Sequence, residues 1–333
     1  MAEASVVNTR ILLVERPSGP ITPDCFAVDE RPVDQPGPGE VLVRNIYVSC
    51  DPYLRGRMDG AFPLDQPVTA RVVSQVVASN DPAHTPGDIV WGFLGWELYS
   101  TTRGADLTTV DPSLGPISHA ISVRGMPGLT AWVGLIEIGR PRPGETVLVS
   151  SATGAVGSVV GQLARLAGAR VIGTGGSDEK VARAVHRLGY HGAFNYRTTP
   201  SLGDAIDEFC PNGVDVYFDN VGGDLLEAVL TRMNPAARIP VCGMISRYES
   251  GDPGTRNLIG ILASRATMTG FSIYDHVHKL PSFVPDMARR LAEGTIVYDE
   301  DIVDGIKALP DAFIGMLHGD NIGKRLVRVS EQP

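Results

Sequence analysis

A glycine-rich turn between two regular patterns carries the clearest chemical signal in this 333-residue sequence. Residues 146–150 form a short apolar run typical of a strand, and over residues 156–167 apolar side chains recur at helical spacing. The turn Ala152-Thr-Gly154-Ala-Val-Gly157 matches the G-x-G-x-x-G fingerprint except for alanine in its first place. Such a turn brings a pyrophosphate to a helix N-terminus, where N–H groups and the helix dipole favour an anion. We therefore predict a dinucleotide site; the alternative is a turn that only packs strand against helix.

The end of the next predicted strand distinguishes NADPH from NADH. An acidic side chain there would bond the ribose hydroxyls of NADH, whereas the 2′-phosphate of NADPH needs hydrogen-bond donors and positive charge. The chain reads Gly175-Gly-Ser177-Asp-Glu-Lys180, so no acid stands at the strand end and a lysine follows one turn into the next helix. Asp178 lies past the strand end, where we expect it to cap that helix. The pattern favours NADPH, and the alternative for Lys180 is an ordinary solvated lysine.

Strands that alternate with helices predict the fold that positions this turn. Two helices are predicted over residues 156–167 and 179–188, and six strands can be counted. Six strands complete a doubly wound parallel sheet of the dinucleotide-binding (Rossmann) type, which places this region in the α/β class. The predicted strands cover residues 146–150, 168–174, 193–196, 214–219, 238–243 and 268–273.

The two ends of the chain follow a different pattern. Residues 1–125 read as short strands divided by turns such as Pro36-Gly-Pro-Gly39, which suggests a barrel or sandwich. Beyond residue 295 the pattern is again strand-like and loop-like. Because 333 residues exceed what one core usually holds, we expect two domains. The prediction is a β domain of residues 1–125, rejoined by 296–333, and a nucleotide-binding domain of residues 126–295.

The composition of the chain argues against several kinds of binding partner. The formal charge of −9 disfavours nucleic acid, which needs clustered lysine and arginine. No stretch approaches the roughly 18 apolar residues of a membrane span, and residues 1–5 do not begin a signal peptide. The four cysteines lie far apart without a Cys-x-x-Cys pair, so we expect reduced thiols. These features predict a cytoplasmic protein that binds neither nucleic acid nor membrane.

Several other motifs are spread over nearly the whole chain. They are Asp51-Pro-Tyr53-Leu-Arg-Gly-Arg-Met58, Gly125-Met126-Pro-Gly-Leu-Thr-Ala-Trp, Phe194-Asn-Tyr196, Asp219-Asn220-Val-Gly-Gly, Cys242-Gly-Met-Ile-Ser-Arg-Tyr248 and Gly319-Asp-Asn321-Ile-Gly-Lys. Together with the glycine turn they resemble the medium-chain dehydrogenase/reductase family. The resemblance is to its zinc-independent branch of leukotriene B4 12-hydroxydehydrogenases, prostaglandin reductases, alkenal double-bond reductases and curcumin reductases.

This resemblance implies a GroES-like β-barrel catalytic domain beside the Rossmann domain, a homodimer, and NADP(H) as cofactor. It implies that Tyr53 and Tyr248 face the substrate, and that Lys180 and Tyr196 contact the 2′-phosphate. The full set of cofactor-binding residues that it implies is Gly154, Ala155, Val156, Gly157, Gly175, Ser177, Lys180, Tyr196, Asn220, Cys242, Gly243, Ile245, Ser246, Tyr248, Phe271, Ile273 and Asn321.

Cys50 needs separate treatment, because the zinc-dependent branch of the same superfamily places a metal-binding cysteine there. A catalytic zinc needs three protein ligands. That branch carries a Gly-His-Glu some twenty residues later, but residues 67–74 here contain no histidine. We therefore expect no metal, and we interpret Cys50 as a small buried side chain.

Without zinc as a Lewis acid, an activated alkene is a more suitable substrate than an alcohol. The expected reaction is NADPH-dependent reduction of the carbon–carbon double bond of α,β-unsaturated ketones and aldehydes, at the β-carbon. A phenol that stays protonated can donate a hydrogen bond to the enolate oxygen, and Tyr53 and Tyr248 are the candidates. Tyr53 could instead be a packed turn residue and Tyr248 a loop tyrosine. The alternatives for the whole chain are an NADPH quinone reductase of the same superfamily and a non-catalytic NADPH-binding protein.

Overall fold

The computed structural model describes residues 6–248 and 254–333. Residues 1–5, on which the prediction that no signal peptide begins the chain depends, lie outside this part. Up to residue 122 the chain is mainly strands, with one short α-helix and four 3-10 helices. The elements are β1 (Val7–Leu13), a 3-10 helix (Pro23–Cys25), β2 (Phe26–Pro32), β3 (Glu40–Ser49), α1 (Tyr53–Met58), β4 (Gln66–Pro67), β5 (Thr69–Ser79), β6 (Ile89–Gly95), β7 (Tyr99–Arg103), β8 (Thr108–Thr109), and 3-10 helices at Gly104–Asp106, Pro112–Leu114 and Ile117–Ile121.

From residue 126 strands and helices alternate, as the sequence pattern predicts. All six predicted strands are present, although β13 begins at Met233 instead of residue 238 and β14 ends at Gly270. The elements are α2 (Met126–Trp132), a π-helix (Val133–Gly139), β9 (Thr146–Val149), α3 (Gly157–Leu166), β10 (Arg170–Gly175), α4 (Asp178–His186), β11 (Gly192–Asn195), α5 (Leu202–Phe209), β12 (Val214–Phe218), α6 (Gly223–Leu230), β13 (Met233–Val241), a 3-10 helix (Ile245–Arg247), α7 (Ile259–Ser264), β14 (Thr267–Gly270), a 3-10 helix (Ile273–Lys279) and α8 (Leu280–Ala292).

The C-terminal segment contains a helix that the strand-like and loop-like interpretation missed. It comprises β15 (Glu300–Asp304), a 3-10 helix (Ile306–Ala308), α9 (Leu309–His318) and β16 (Lys324–Arg328). Proline near the start of α9 suits its first turn, where no intrahelical N–H is needed. Leu309, Phe313 and Met316 are buried at helical spacing, and Gly319 ends the helix with φ +80°. The helix forms because this apolar face packs into the core of the N-terminal sheets.

Contacts within the chain divide it into two compact units. The first unit contains Met1–Ser122 and Glu300–Pro333, and the second contains Val123–Asp299. In the first unit, seven strands form a mixed sheet in the order β15-β16-β3-β5-β6-β8, with β7 also paired to β3, and β2-β1-β4 form a small second sheet. Trp96 is fully buried in the core of this unit, where its ring contacts those of Phe26 in β2 and Phe313 in α9.

The second unit is a six-stranded sheet in the order β11-β10-β9-β12-β13-β14, with every pair parallel. Counted along the chain this is 3-2-1-4-5-6, the order of doubly wound dinucleotide-binding sheets, and the α/β prediction is confirmed. Ligands of such sheets bind outside the carboxyl ends of the strands, near the first strand. Among the described helices, none has both the length and the apolar character that crossing a membrane requires.

Candidate functional site

The glycine turn follows β9 and leads directly into α3. Ser151 adopts the left-handed conformation with φ +53°, and the amide of Gly154 donates to the carbonyl of Ser151 at 3.0 Å. A Cβ atom on Gly157 would lie 2.2 Å from that same carbonyl oxygen, and one on Gly154 would lie 2.8 Å from the Ser151 Oγ. The backbone of the turn therefore requires glycine at position 157, whereas at Gly154 the closest atom belongs to the movable Ser151 side chain and the backbone oxygen is 3.2 Å away. Ala155 and Val156 lie between these glycines and lead into α3, whose N-cap is Val156. The first N–H groups of a helix lack intrahelical acceptors.

Donors and positive charge surround the glycines at the end of β10. A Cβ atom on Gly176 would lie 2.9 Å from the Tyr196 hydroxyl and 3.3 Å from the Arg197 Nε, and one on Gly175 would lie 3.1 Å from the Cβ of Lys180. The space beside these glycines is thus bordered by a phenol and two cationic side chains. Tyr196 directly follows the neighbouring strand, β11, and it reaches this space because its amide donates to the carbonyl of Gly175 at the end of β10.

Ser177 caps α4, which corrects the prediction that Asp178 does so. The Ser177 Oγ accepts a hydrogen bond from the amide of Lys180, and Asp178 is already the first helical residue. The Asp178 carboxylate instead accepts from the Asn195 side chain at 2.8 Å. Ser177 is the capping residue because its backbone is extended, so that its short hydroxyl reaches the third helical N–H.

The loops after β12 and β13 are joined by hydrogen bonds. The amides of Cys242 and Gly243 donate to the carbonyl of Asp219 at 2.8 and 3.2 Å, and the Ser246 Oγ donates to the carbonyl of Val221 at 2.6 Å. Asn220 is held from the other side by Ser150, at the end of β9. Its amide donates to the Ser150 Oγ and its side chain to the Ser150 carbonyl, both at 2.8 Å.

Tyr248 follows the 3-10 helix Ile245–Arg247 in the second of these loops and is half-buried. Its hydroxyl is 3.9 Å from the position of a Cβ atom on Gly243, and the same position is 3.4 Å from the Asn220 carbonyl. Burial raises the pKa of Tyr248, Cys242 adds to the rise, and a hydrogen bond with the Met244 backbone partly opposes it. The phenol is therefore protonated at neutral pH and can donate a hydrogen bond.

Four other predicted cofactor residues lie near these loops. The amide of Ile245 donates weakly to the Asn220 carbonyl at 3.5 Å. Burial raises the pKa of the Cys242 thiol to about 12, and the charge of Asp219 adds to this rise, so the thiol is protonated. Phe271 and Ile273 follow β14, and both pack against the main apolar core of the unit. The Phe271 ring lies against Gly134 of the π-helix, where a Cβ atom would be 2.7 Å from it.

The remaining predicted residues, Tyr53 and Asn321, belong to the first unit. Tyr53 is half-buried at the start of α1 and receives a hydrogen bond from Arg71 at 3.4 Å. The side chain of Asn321 donates to the Gly323 carbonyl at 2.7 Å, in the turn before β16. The structure thus brings the predicted cofactor residues of the second unit together at strand ends, and it places Tyr53 and Asn321 separately in the first unit.

Three residues of these sites escaped the sequence analysis. Arg197 follows Tyr196 directly, and its charge was a signal that could have been used. Ser150 ends the first predicted strand and Asp219 begins one of the motifs, but neither was given a role. Asp219 is fully buried and accepts hydrogen bonds from Val221, Gly222 and Tyr217. Burial raises the pKa of Asp219, and these hydrogen bonds oppose the rise. Its role in shaping the loop depends on contacts that residue types alone do not reveal.

Comparisons with known proteins cover both units. The family described as the N-terminal domain of oxidoreductase matches residues 9–110, and the one described as zinc-binding dehydrogenase matches residues 155–293. The chain is 41% identical to the NADP-dependent 2-alkenal reductase of Nicotiana tabacum over 305 residues, 89% of either chain. It is 39% identical to the NADPH-dependent curcumin reductase of Escherichia coli over 343 residues, 99% of either chain. This chain belongs to the medium-chain dehydrogenase/reductase family.

Within that family it lies in the branch of curcumin, alkenal and prostaglandin reductases, as the motifs predicted. Among solved structures it resembles CurA of Vibrio vulnificus in complex with NADPH, with a TM-score of 0.91 and 38% identity. That match covers 97% of this chain and 100% of the other. The mixed sheet of the first unit and the parallel sheet of the second therefore agree with the fold of this family.

The name of the second matching domain raises the question of zinc, and the donors near Cys50 do not fit that ion. Burial raises the pKa of the Cys50 thiol to about 12, whereas zinc binds the thiolate. The nearest cation is the Lys324 ammonium, which donates to the Cys50 carbonyl at 2.5 Å. Over residues 6–248 and 254–333, no group of three or more His, Cys, Asp or Glu residues is arranged to hold a metal ion.

Proposed function

We propose that this chain is an NADPH-dependent reductase of the carbon–carbon double bond of α,β-unsaturated ketones and aldehydes. The observation that carries the proposal is the protonated, half-buried hydroxyl of Tyr248 beside Asn220 and Gly243, at the carboxyl ends of the parallel strands. Ligands of doubly wound sheets bind at that edge. The similarity to 2-alkenal and curcumin reductases supports the choice of substrate class.

The second unit fits NADPH in particular. The backbone of the turn Gly154–Gly157 would hold the pyrophosphate, where a side chain on either glycine would meet Ser151. The space beside Gly175 and Gly176 would hold the 2′-phosphate, because Lys180, Tyr196 and Arg197 supply charge and donors around it. The rest of the cofactor would be lined by the joined loops and by the residues after β14, which are Asn220, Cys242, Gly243, Ile245, Ser246, Phe271 and Ile273. Asn321 stays a further proposed cofactor residue.

When bound, NADPH supplies the hydride that reduces the β-carbon of the enone. The protein's own task is then to stabilise the negative charge that develops on the carbonyl oxygen. Tyr248 would donate a hydrogen bond to that oxygen, and its raised pKa keeps its proton in place for this purpose. Tyr53 would position the substrate through a second hydrogen bond. The first unit would then be the catalytic domain and the second the cofactor domain.

The reaction in this proposal needs no metal. Cys50 is protonated and fully enclosed, and Lys324 places a positive charge beside its carbonyl. A cation at this position would therefore be repelled. The hydrogen-bond donors named above replace the Lewis acid.

We also propose a cytoplasmic homodimer. Leu258, Ile259 and Leu262 are 57% to 72% exposed at helix α7, next to the edge strand β14. An exposed apolar surface at a sheet edge is typical of an interface between identical subunits. Sedimentation analysis should show a dimer, and Leu262→Glu should give monomers; a monomeric wild-type protein would contradict the proposal.

The central experiment is a panel of enones, enals and quinones assayed with NADPH and with NADH, with product identification. We expect saturated ketones and aldehydes from the enones and enals, and a clear preference for NADPH. Turnover of quinones alone would favour the quinone reductase alternative. Binding of NADPH without turnover of any compound would favour the non-catalytic alternative.

A further inference from the structure

A buried tyrosine lies against the glycine turn of the second unit. Tyr190, between α4 and β11, is 3% exposed. A Cβ atom on Gly161 of α3 would lie 2.1 Å from the Cζ of its ring, and one on Gly173 of β10 would lie 3.0 Å from the ring's Cδ1 and Cε1. The two glycines thus leave the room that this ring occupies between the helix and the sheet.

The hydroxyl of Tyr190 meets the carbonyls at both ends of the turn. It donates to the carbonyl of Gly157 at 2.7 Å, and the carbonyl of Ala152 lies 3.4 Å from it. A phenol has a single hydrogen, so the bond to Gly157 is the stronger one and the contact with Ala152 is a weaker second branch. Burial raises the pKa of Tyr190, which keeps this hydrogen in place at neutral pH.

The Gly157 carbonyl belongs to the peptide unit that closes the turn. The N–H group of the same unit is that of Ser158, which donates to the carbonyl of Gly154 at 3.0 Å. Because a trans peptide unit is planar, its C=O and N–H groups point in opposite directions. Tyr190 therefore holds one side of this unit and Gly154 the other. Likewise, the contact with the Ala152 carbonyl directs the N–H group of that peptide unit away from the hydroxyl.

Backbone N–H groups bind an anion best when they are held in position before the ligand arrives, because ordering them on binding costs affinity. We propose that Tyr190 is a positioning residue for NADPH: its hydroxyl fixes the peptide units at both ends of the turn, so that the turn is ready for the pyrophosphate. Tyr190 is enclosed by protein and acts through the turn. This inference rests on the proposed function only where it assigns Gly154–Gly157 to the pyrophosphate.

Removal of the hydroxyl alone tests this role. Tyr190→Phe keeps the ring between Gly161 and Gly173 and deletes only the donor. We expect the Kd for NADPH, measured by calorimetry without substrate, to rise roughly threefold to tenfold, the factor that a lost neutral hydrogen bond typically accounts for. The Kd for NADH should rise by the same factor, because both cofactors carry the pyrophosphate. An unchanged Kd for NADPH would overturn the proposal.

A ligand without the pyrophosphate separates this role from a general structural one. Adenosine 2′-monophosphate carries only the 2′-phosphate, so its Kd should be the same in Tyr190→Phe and in the wild type. If its affinity falls as much as that of NADPH, the substitution disturbs the whole unit and the proposal is wrong.

Tyr47→Phe is the matched control. Tyr47 is also 3% exposed, but it lies in β3 of the first unit, where its hydroxyl accepts a hydrogen bond from the Gln332 side chain at 2.6 Å. The substitution removes a buried hydroxyl of the same type, and it should leave the Kd of all three ligands unchanged. A rise in the Kd for NADPH as large as that in Tyr190→Phe would show that the effect is not specific to the turn.

Hydrogen exchange of the ligand-free protein gives a readout that needs no cofactor. In Tyr190→Phe the amides of residues 153–158 should exchange faster than in the wild type, whereas those of β12, in the middle of the parallel sheet, should not. Tyr47→Phe should change neither group. Equal acceleration in β12 would indicate a general loss of stability, and unchanged exchange in the turn would mean that the hydroxyl does not hold it; either result contradicts the proposal.

Ala155→Asp distinguishes a failure of this inference from a failure of the proposed cofactor site. A carboxylate within the turn should repel a pyrophosphate bound there and weaken NADPH and NADH roughly tenfold or more. If Ala155→Asp weakens binding and Tyr190→Phe does not, the site stands and the role of Tyr190 is wrong. If Ala155→Asp binds NADPH as tightly as the wild type does, the assignment of the turn to the pyrophosphate is wrong, and the role of Tyr190 falls with it.

Discussion

The two units build their polar sites in different ways. In the second unit, the donors near Gly176 come from two short stretches, 175–180 and 195–197, that follow adjacent parallel strands. In the first unit, the surroundings of Tyr53 come from residues as far apart as Asp51 and Lys324, which pair at 2.8 Å. A site at parallel strand ends can be assembled from local motifs. A site across a mixed sheet depends on which strands become neighbours.

This difference decides how each site should respond to substitution. Of the residues that we propose for the 2′-phosphate, Tyr196 and Arg197 are exposed and Lys180 is half-buried. Their loss should therefore affect binding of the cofactor more than folding. The charges around Tyr53 are buried, so their loss should affect folding first. The predictions below test this contrast, starting with the largest expected effect.

Lys324→Met should strongly destabilise the protein. It leaves the buried Asp51 carboxylate without its closest charged partner, and breaking a buried pair on one side typically costs ~3–5 kcal/mol. Lys307→Met is the matched control, because Lys307 is exposed and should change the free energy of unfolding by less than ~0.5 kcal/mol. Chemical denaturation measures both. A Lys324→Met protein as stable as the control would show that the pair contributes little.

The pH dependence of this variant sharpens the test. In the wild type the pKa of Asp51 is lower in the folded protein than in the unfolded chain. The charged Asp51 therefore stabilises the protein at pH values above its unfolded pKa of about 3.9, and this stabilisation is lost as the pH falls through the folded pKa. Without Lys324, burial would raise the pKa of Asp51 above its unfolded value. The charged form of Asp51 would then destabilise the folded protein instead of stabilising it. The destabilisation should then be smaller near about pH 4 than near about pH 8, because a protonated Asp51 is less costly to bury. An equal loss at both pH values would contradict this explanation.

Tyr248→Phe should lower kcat by roughly 10²–10³, because it removes a donor aimed at developing negative charge. Tyr53→Phe should lower kcat less and appear more in the KM for the enone. The NADPH Kd must be measured for both, since Tyr248 lies beside Asn220 and Gly243, which we assign to the cofactor. A Tyr248→Phe enzyme with full kcat at saturating NADPH and enone would remove Tyr248 from the chemistry.

The same contrast explains what could be predicted from sequence. The six parallel strands, the glycine turn and the cluster near Gly176 follow from residues close together in the chain. The cap at Ser177 was missed because Asp178 is an equally good capping type, and backbone geometry decides between them. Helix α9 was missed because its apolar face is short. The contact of Asp51 with Lys324 could not be predicted, because it depends on β16 pairing with β3.

Lys180→Ala should raise the KM for NADPH roughly tenfold to a hundredfold, the effect of losing a contact worth ~1.5–3 kcal/mol, and should change the KM for NADH far less. Arg197→Ala should act in the same direction, because its Nε borders Gly176 beside the Tyr196 hydroxyl. Lys307→Ala is the control for the loss of one positive charge. Equal efficiency of the wild type with NADPH and NADH would refute the assignment of this cluster to the 2′-phosphate.

The smallest expected effect is that of a chelator, which should change nothing. Burial raises the pKa of Cys50 to about 12, so a metal that recruits this thiol must displace its proton and accept the Lys324 ammonium as a close neighbour. Activity should therefore survive exhaustive chelation at the level of a mock-dialysed sample, and elemental analysis should find no stoichiometric zinc. If chelation abolishes turnover and added zinc restores it, the Lys324 ammonium does not prevent a metal from binding at Cys50. In that case Lys324→Met, which removes the competing ammonium, should bind zinc more tightly than the wild type does.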